Sequence, residues 1–188
     1  LLSLSYGALF VFLAGSSFVF TEVLGVSRVG YGAIMASNSL AYISGTLICR
    51  RLLASHGLRG TVRRAAVFTL CGGWSMATLS LAGVIGVWAI LVPQWLFAIG
   101  HGIHQPCGQV GAVGPFPDKA GAAAALSGFL MMLTSFAIGL WLGRQLNGTV
   151  FPLTLGIGVL STGIALVAWT LVQRHGEAHA APATAQPA

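Results

Sequence analysis

Apolar runs of about twenty residues, separated by short polar breaks, set the pattern of this chain. A helix crossing a bilayer needs about 20 predominantly apolar residues. The runs predict six such helices, at 1–20, 31–49, 65–84, 88–113, 121–142 and 151–172. Strands of a transmembrane barrel would alternate over about ten residues. These runs do not alternate, so an all-α integral membrane protein is expected.

The breaks between runs differ in kind. The first, at 21–30, holds Glu22 and Arg28, and the second is basic, with Arg50, Arg51, His56, Arg59, Arg63 and Arg64. Gly86-Val87 makes the third, which no charge marks. Gly114-Pro115-Phe116-Pro117 makes the fourth, followed by Asp118-Lys119. Two prolines that close cannot share a helix, because each lacks an N–H donor and restrains the residue before it. The fifth break carries Arg144 between glycines. Residues 173–188, rich in Ala, Pro, Thr and His, cannot bury a core and are expected to form a disordered cytoplasmic tail on a 1–172 unit.

Composition sharpens this picture. The chain is 56% hydrophobic and 6% charged, with mean hydropathy +0.87, whereas a soluble domain is about a quarter charged. Its net charge of +6 does not imply nucleic-acid binding, because the arginines flank apolar runs as topology signals do. With both ends cytoplasmic, the inner side holds Arg50, Arg51, Arg59, Arg63, Arg64, Lys119 and Arg174, and the outer side only Arg28 and Arg144. Six spans in a bacterial inner (plasma) membrane are therefore expected. The sequence opens LLSLSYGALF and its first methionine is Met35, which reads as a fragment beginning inside or just before a helix.

Chemistry-bearing motifs are scarce. Cys49, Cys71 and Cys107 are odd in number and scattered, which suggests neither a disulfide framework nor a metal site. No phosphate-binding Gly-x-x-x-x-Gly-Lys-Ser/Thr motif occurs, and no Gly-x-Ser-Gly. The expectation is no catalytic residue, no cofactor and no enzyme activity. Gly121 to Ala125 with Gly128, and Gly32, Ala36 and Ser39, form small faces suited to close helix packing. Trp88, Trp141 and Trp169 fall near predicted span ends, while Trp74 and Trp95 fall deeper and read as core or cavity residues, core first.

Polar residues at membrane depth attract a functional hypothesis because they are costly there. The fourth predicted helix is richest in them. Gln94, His101, Gln105 and Gln109 fall within about 80° of one another at 100° per residue, with His104 to one side, near enough to share an opening. Three readings stay open: a substrate path, interhelical hydrogen bonding, or a His-x-x-His metal site that lacks an evident third ligand. Asn38, Tyr42 and Thr46 mark one face of the second helix, open to the first two readings. Pro106 is expected to loosen the fourth helix, and Gly128 is a second hinge candidate.

Three stretches resemble the C-terminal half of major facilitator superfamily transporters. Gly15-Ser16-Ser17-Phe18-Val19-Phe20-Thr21-Glu22 with Gly25-Val26-Ser27 resembles the seventh helix and following loop of the bicyclomycin-resistance (Bcr/CflA) type multidrug/proton antiporters. Gly45-Thr46-Leu47-Ile48-Cys49-Arg50, with Gly57, Arg63 and Arg64, resembles the superfamily's Gly-x-Leu-x-Asp-Arg loop motif. Pro106, Pro115-Phe116-Pro117, Ala120-Gly121, Ala125-Leu126 and Gly128-Phe129 resemble the helix 10–11 region of the same antiporters. The chain departs from the pattern at Cys49, where the motif has an acid, at Ser17 in place of Pro, and at Met131 in place of Gln.

The resemblance implies one half of a twelve-helix fold, partnered by a missing N-terminal six-helix half in the lipid bilayer. It implies proton-coupled export of drug-like small molecules by alternating access. Gln94, His101, His104, Gln105, Asn38 and Tyr42 would then line the substrate path. Gly45, Arg50, Arg51, Gly57, Arg63 and Arg64 would belong to a cytoplasmic gate loop, with topology and lipid headgroup contact as the alternative for the arginines, and Pro106 and Gly128 would flex. A facilitator-type transporter of a small metabolite and a six-helix membrane enzyme or scaffold are the alternatives.

Overall fold

The computed structural model describes residues 1–145 and 147–176. Its elements are α1 (Leu2–Phe18), a π-helical turn (Val19–Val23), α2 (Arg28–Leu81), α3 (Val87–Val113), a 3-10 turn (Pro117–Lys119), α4 (Ala120–Gln145), α5 (Phe151–Trp169) and α6 (Leu171–His175). The described residues contain no strand. Five helical stretches are long and apolar enough to cross a membrane, against six expected from the hydrophobic pattern.

The difference lies in α2, which has 54 residues. A straight helix of that length would reach roughly 80 Å, far beyond the ~30 Å hydrocarbon core of a bilayer. It is not straight. Gly57 adopts φ 63°, ψ −176°, a region open in practice only to glycine. The chain reverses there into a first limb (28–56) and a second limb (58–81). Contacts with α3 establish the reversal. Asn38, Gly45 and Cys49 meet Gln94, Ile99 and Ile103 in rising order, so the first limb runs parallel to α3. Thr69 meets His104 while Gly72 meets Phe97, so the second limb runs antiparallel.

This corrects the expected loop between residues 50 and 64, which is helical on both sides of Gly57. Helical hydrogen bonding satisfies that backbone, and long arginine stems carry their charge to water without a loop. Arg50, Arg51, Arg63 and Arg64 are all exposed. Gly45 falls within the helix expected over 31–49. It is buried in the first limb, where a Cβ would collide with the Ile99 carbonyl, and a Cβ on Gly102 would collide with that of Tyr42. Two glycines facing opposite helices let the backbones touch, as packing within a bilayer favours.

The remaining helices alternate in direction. Trp74 Nε1 donates to Thr162 Oγ1 (2.8 Å), Ser80 Oγ meets Thr154 Oγ1 (2.8 Å) and Trp169 Nε1 donates to the Arg63 carbonyl (3.1 Å), which fixes α5 antiparallel to the second limb. α1 runs parallel to α4, with Gly7 against Ile138 and Gly15 against Leu142. Leu1, Leu58, Gly111, Val172 and His175 therefore meet around one cavity at a single end of the bundle. That end carries Arg50, Arg51, Arg59, Arg63, Arg64, Lys119 and Arg174, and the opposite end carries Arg28 and Arg144.

Phe12, Phe20, Phe97, Met76, Leu153 and Ile157 form the main core, and a second cluster around Val62, Ala65, Ile103 and Cys107 closes the basic end. Trp74 is not core: it is 43% exposed, because its indole reaches across to Thr162 on the outside of the pair. Helix continues past 172, where Gln173 Nε2 donates to the Arg59 (3.2 Å) and Ala168 (2.9 Å) carbonyls. Of the expected tail, 177–188 lies outside the described residues. Gly32, Ala36, Ser39, Gly121, Ala122, Ala124 and Ala125 are exposed, so no described residue covers those small faces.

Candidate functional site

The polar residues of α3 divide between two sides of the helix. His101 points toward α1 and the first limb. Its Nδ1 lies 2.7 Å from Ser5 Oγ, its ring stacks on Phe97 at 6.4 Å and tilts against Tyr42 at 5.7 Å, and it is buried. Gln94, fully buried, donates from Nε2 to Asn38 Oδ1 at 3.4 Å. His104 instead faces the second limb, with Nε2 at 3.5 Å from Thr69 Oγ1. Gln105 is half-buried and Gln109 exposed. The expected shared opening is thus not formed: about 60° of helix rotation separates the two histidines, enough to place them against different helices.

An open groove of about 370 Å³ lies between α1, the first limb and α3. Tyr6, Leu9, Leu13, Met35 and Ile43 give it apolar and aromatic walls, and Asn38, Tyr42, His101 and Gln105 place polar groups on it. That mixture is the ordinary make-up of a small-molecule site. The buried Oε1 of Gln105 has no hydrogen-bond partner among the described residues, and neither has Gln94 Oε1 nor His104 Nδ1. Gln94 and His104 do not line the groove; Gln94 reaches it only through Asn38. Thr46 bonds to the Ile43 carbonyl of its own helix at 2.7 Å.

Two contributors escape a reading confined to the fourth predicted helix. Ser5 and Tyr6 come from α1, where a polar pair inside an apolar run is the signal that marks them. Pro106 lies within α3, which stays helical through both it and Pro93. Gly128 lies within α4, with open space where a Cβ would stand. Arg63 and Arg64 line a separate recess with Trp169 and Gln173.

Cysteine spacing concealed a second arrangement. Cys49 and Cys107, 58 positions apart, bring their sulfurs to 3.6 Å between the first limb and α3. No group of three or more His, Cys, Asp or Glu suited to a metal ion occurs among the described residues.

No family model matches the chain, and no solved structure does. It is 39% identical over 72 residues to Multidrug resistance protein D of Escherichia coli (strain K12), a stretch covering 38% of this chain and 18% of that protein. The matched stretch therefore spans less than a fifth of the curated relative's length. By sequence, in that stretch, the chain resembles a multidrug-resistance protein; by structure it is all-helical, with five helical stretches suited to a membrane.

Proposed function

We propose that the chain is part of a membrane transporter that exports drug-like compounds, with the groove between α1, the first limb and α3 as its share of the substrate path. The groove carries this reading: hydrogen-bonding groups of Tyr42, His101 and Gln105 are set among aromatic and aliphatic walls. Amphipathic compounds ask for that mixture, and the likeness to a multidrug-resistance protein points the same way.

In this reading the two limbs of α2 each span the bilayer, giving six spans in a multi-pass inner-membrane protein. The basic end of the bundle faces the cytoplasm by the positive-inside rule. A further six-helix half completes a major-facilitator fold, the exposed small faces near Gly32 and Gly121 meet it, and alternating access follows from rocking of the halves around the groove. Proton coupling belongs to the same reading.

The test is drug accumulation in efflux-deficient bacteria expressing the full-length protein with His101→Ala or Gln105→Ala. Export should fall while membrane abundance, measured in parallel, stays level. Unchanged export in both variants removes the groove from the mechanism. Export from proteoliposomes that persists after the proton gradient is collapsed favours a facilitator instead.

A further inference from the structure

We propose that the recess between the second limb of α2 and the α5–α6 corner binds the phosphate headgroup of an anionic phospholipid. Arg63, Arg64, Val67, Trp169 and Gln173 line it, enclosing about 430 Å³. Its walls are tied together through the backbone. Trp169 Nε1 donates to the Arg63 carbonyl, and Gln173 Nε2 to the Arg59 and Ala168 carbonyls. Those donors are therefore engaged by the chain itself, and the guanidinium groups are left to serve a ligand.

Arg64 uses one N–H on the Gly60 carbonyl at 3.1 Å. Arg63 makes no side-chain hydrogen bond with the described residues. A guanidinium has five N–H donors in a planar fork that matches phosphate oxygens, so the pair retains ample capacity for one phosphate. Compensating acid is scarce, with three acidic residues against nine basic in the whole chain.

The position selects a lipid over a free anion. The recess sits at the basic end of the bundle, with exposed Val67 on its apolar side and exposed Leu166 one helical turn from Trp169 on α5. A headgroup held by the arginines would lay its acyl chain along that surface, with the Trp169 ring at the interface where indoles are favoured. Basic pockets between helices at a membrane surface take anionic headgroups for this reason. The inference needs the chain to sit in a bilayer, and it is independent of what is exported.

Thermal unfolding of the purified full-length protein in neutral detergent tests it, with phosphatidylglycerol, phosphatidylcholine or inorganic phosphate added. Phosphatidylglycerol should raise the melting temperature by a few degrees, and the other two should not. Arg63→Gln/Arg64→Gln should lose that shift, whereas Arg144→Gln, at the opposite end, should keep it. A photoactivatable phosphatidylglycerol on the wild-type protein should label peptides containing 63–67 or 169–173, a readout that stands even where the double variant folds poorly. Equal shifts from both lipids, a shift that survives the double variant, or labelling elsewhere would overturn the proposal. A shift reproduced by inorganic phosphate alone would make this a free-anion site and overturn the lipid assignment.

Discussion

The sulfurs of Cys49 and Cys107 lie 3.6 Å apart, in the interior, where the first limb of α2 runs beside α3. A disulfide requires about 2.05 Å between sulfurs, a gap that side-chain rotation closes when two helices already touch. Treatment of the purified protein with diamide should join these two cysteines within one chain. Mass spectrometry should find the linked peptides, and Cys107→Ser should abolish them. Both thiols remaining free to a maleimide after denaturation would place the two helices apart.

Gly57 bears the reversal of α2. Gly57→Ala forces a side chain into a conformation that costs of order 1–3 kcal/mol, and denaturant unfolding should record a loss of that size. Gly128→Ala should do the reverse where the other half leaves that position open, because no described atom lies within 4 Å of a Cβ there and replacing glycine within a helix gains roughly 0.5–1 kcal/mol. A Gly128→Ala protein that is more stable yet impaired in export would identify Gly128 as a point of flexing; one that exports normally would not.

Gly102 faces the Tyr42 carbonyl and Gly45. Gly102→Leu overfills that contact and should lower stability by about 1–3 kcal/mol or more. Diamide crosslinking of Cys49 to Cys107, five residues further along α3, should fall in the same variant, since the helices must separate. Full crosslinking with unchanged stability would contradict the close approach.

Ser5→Ala removes the partner of a buried histidine nitrogen. Leaving a buried polar group without its partner costs about 1–3 kcal/mol, so thermal unfolding should shift downward. Gln109→Ala, exposed and outside the groove, should leave both stability and export unchanged, whereas Gln105→Ala should reduce export several-fold. Equal effects from Gln105 and Gln109 would mean that the stripe acts as a whole and the groove does not select among its members.

Much of the fold is legible in the residues because it is local. Twenty apolar residues in succession leave no folded option in a bilayer but a helix, and paired prolines at 115 and 117 end one wherever they occur. The basic stretch misled for a local reason too. Charge marks where a chain meets water, but it does not say whether the backbone there is loop or helix, and here it stays helical up to Gly57 and beyond.

The sequence by itself determined that this chain is helical and apolar, that its positive charge lies in a few flanking clusters, and that Gln94, His101 and Gln105 share one face of one helix. Only the tertiary structure decided what meets that face: Ser5 and Tyr42 against His101, Asn38 against Gln94, and Thr69 against His104 on the far side. It also decided that Cys49 finds Cys107. The physical reason is that helical periodicity fixes neighbours three or four residues apart. Neighbours across helices depend on where backbones approach, which glycines such as Gly45 and Gly102 set only once both helices are in place.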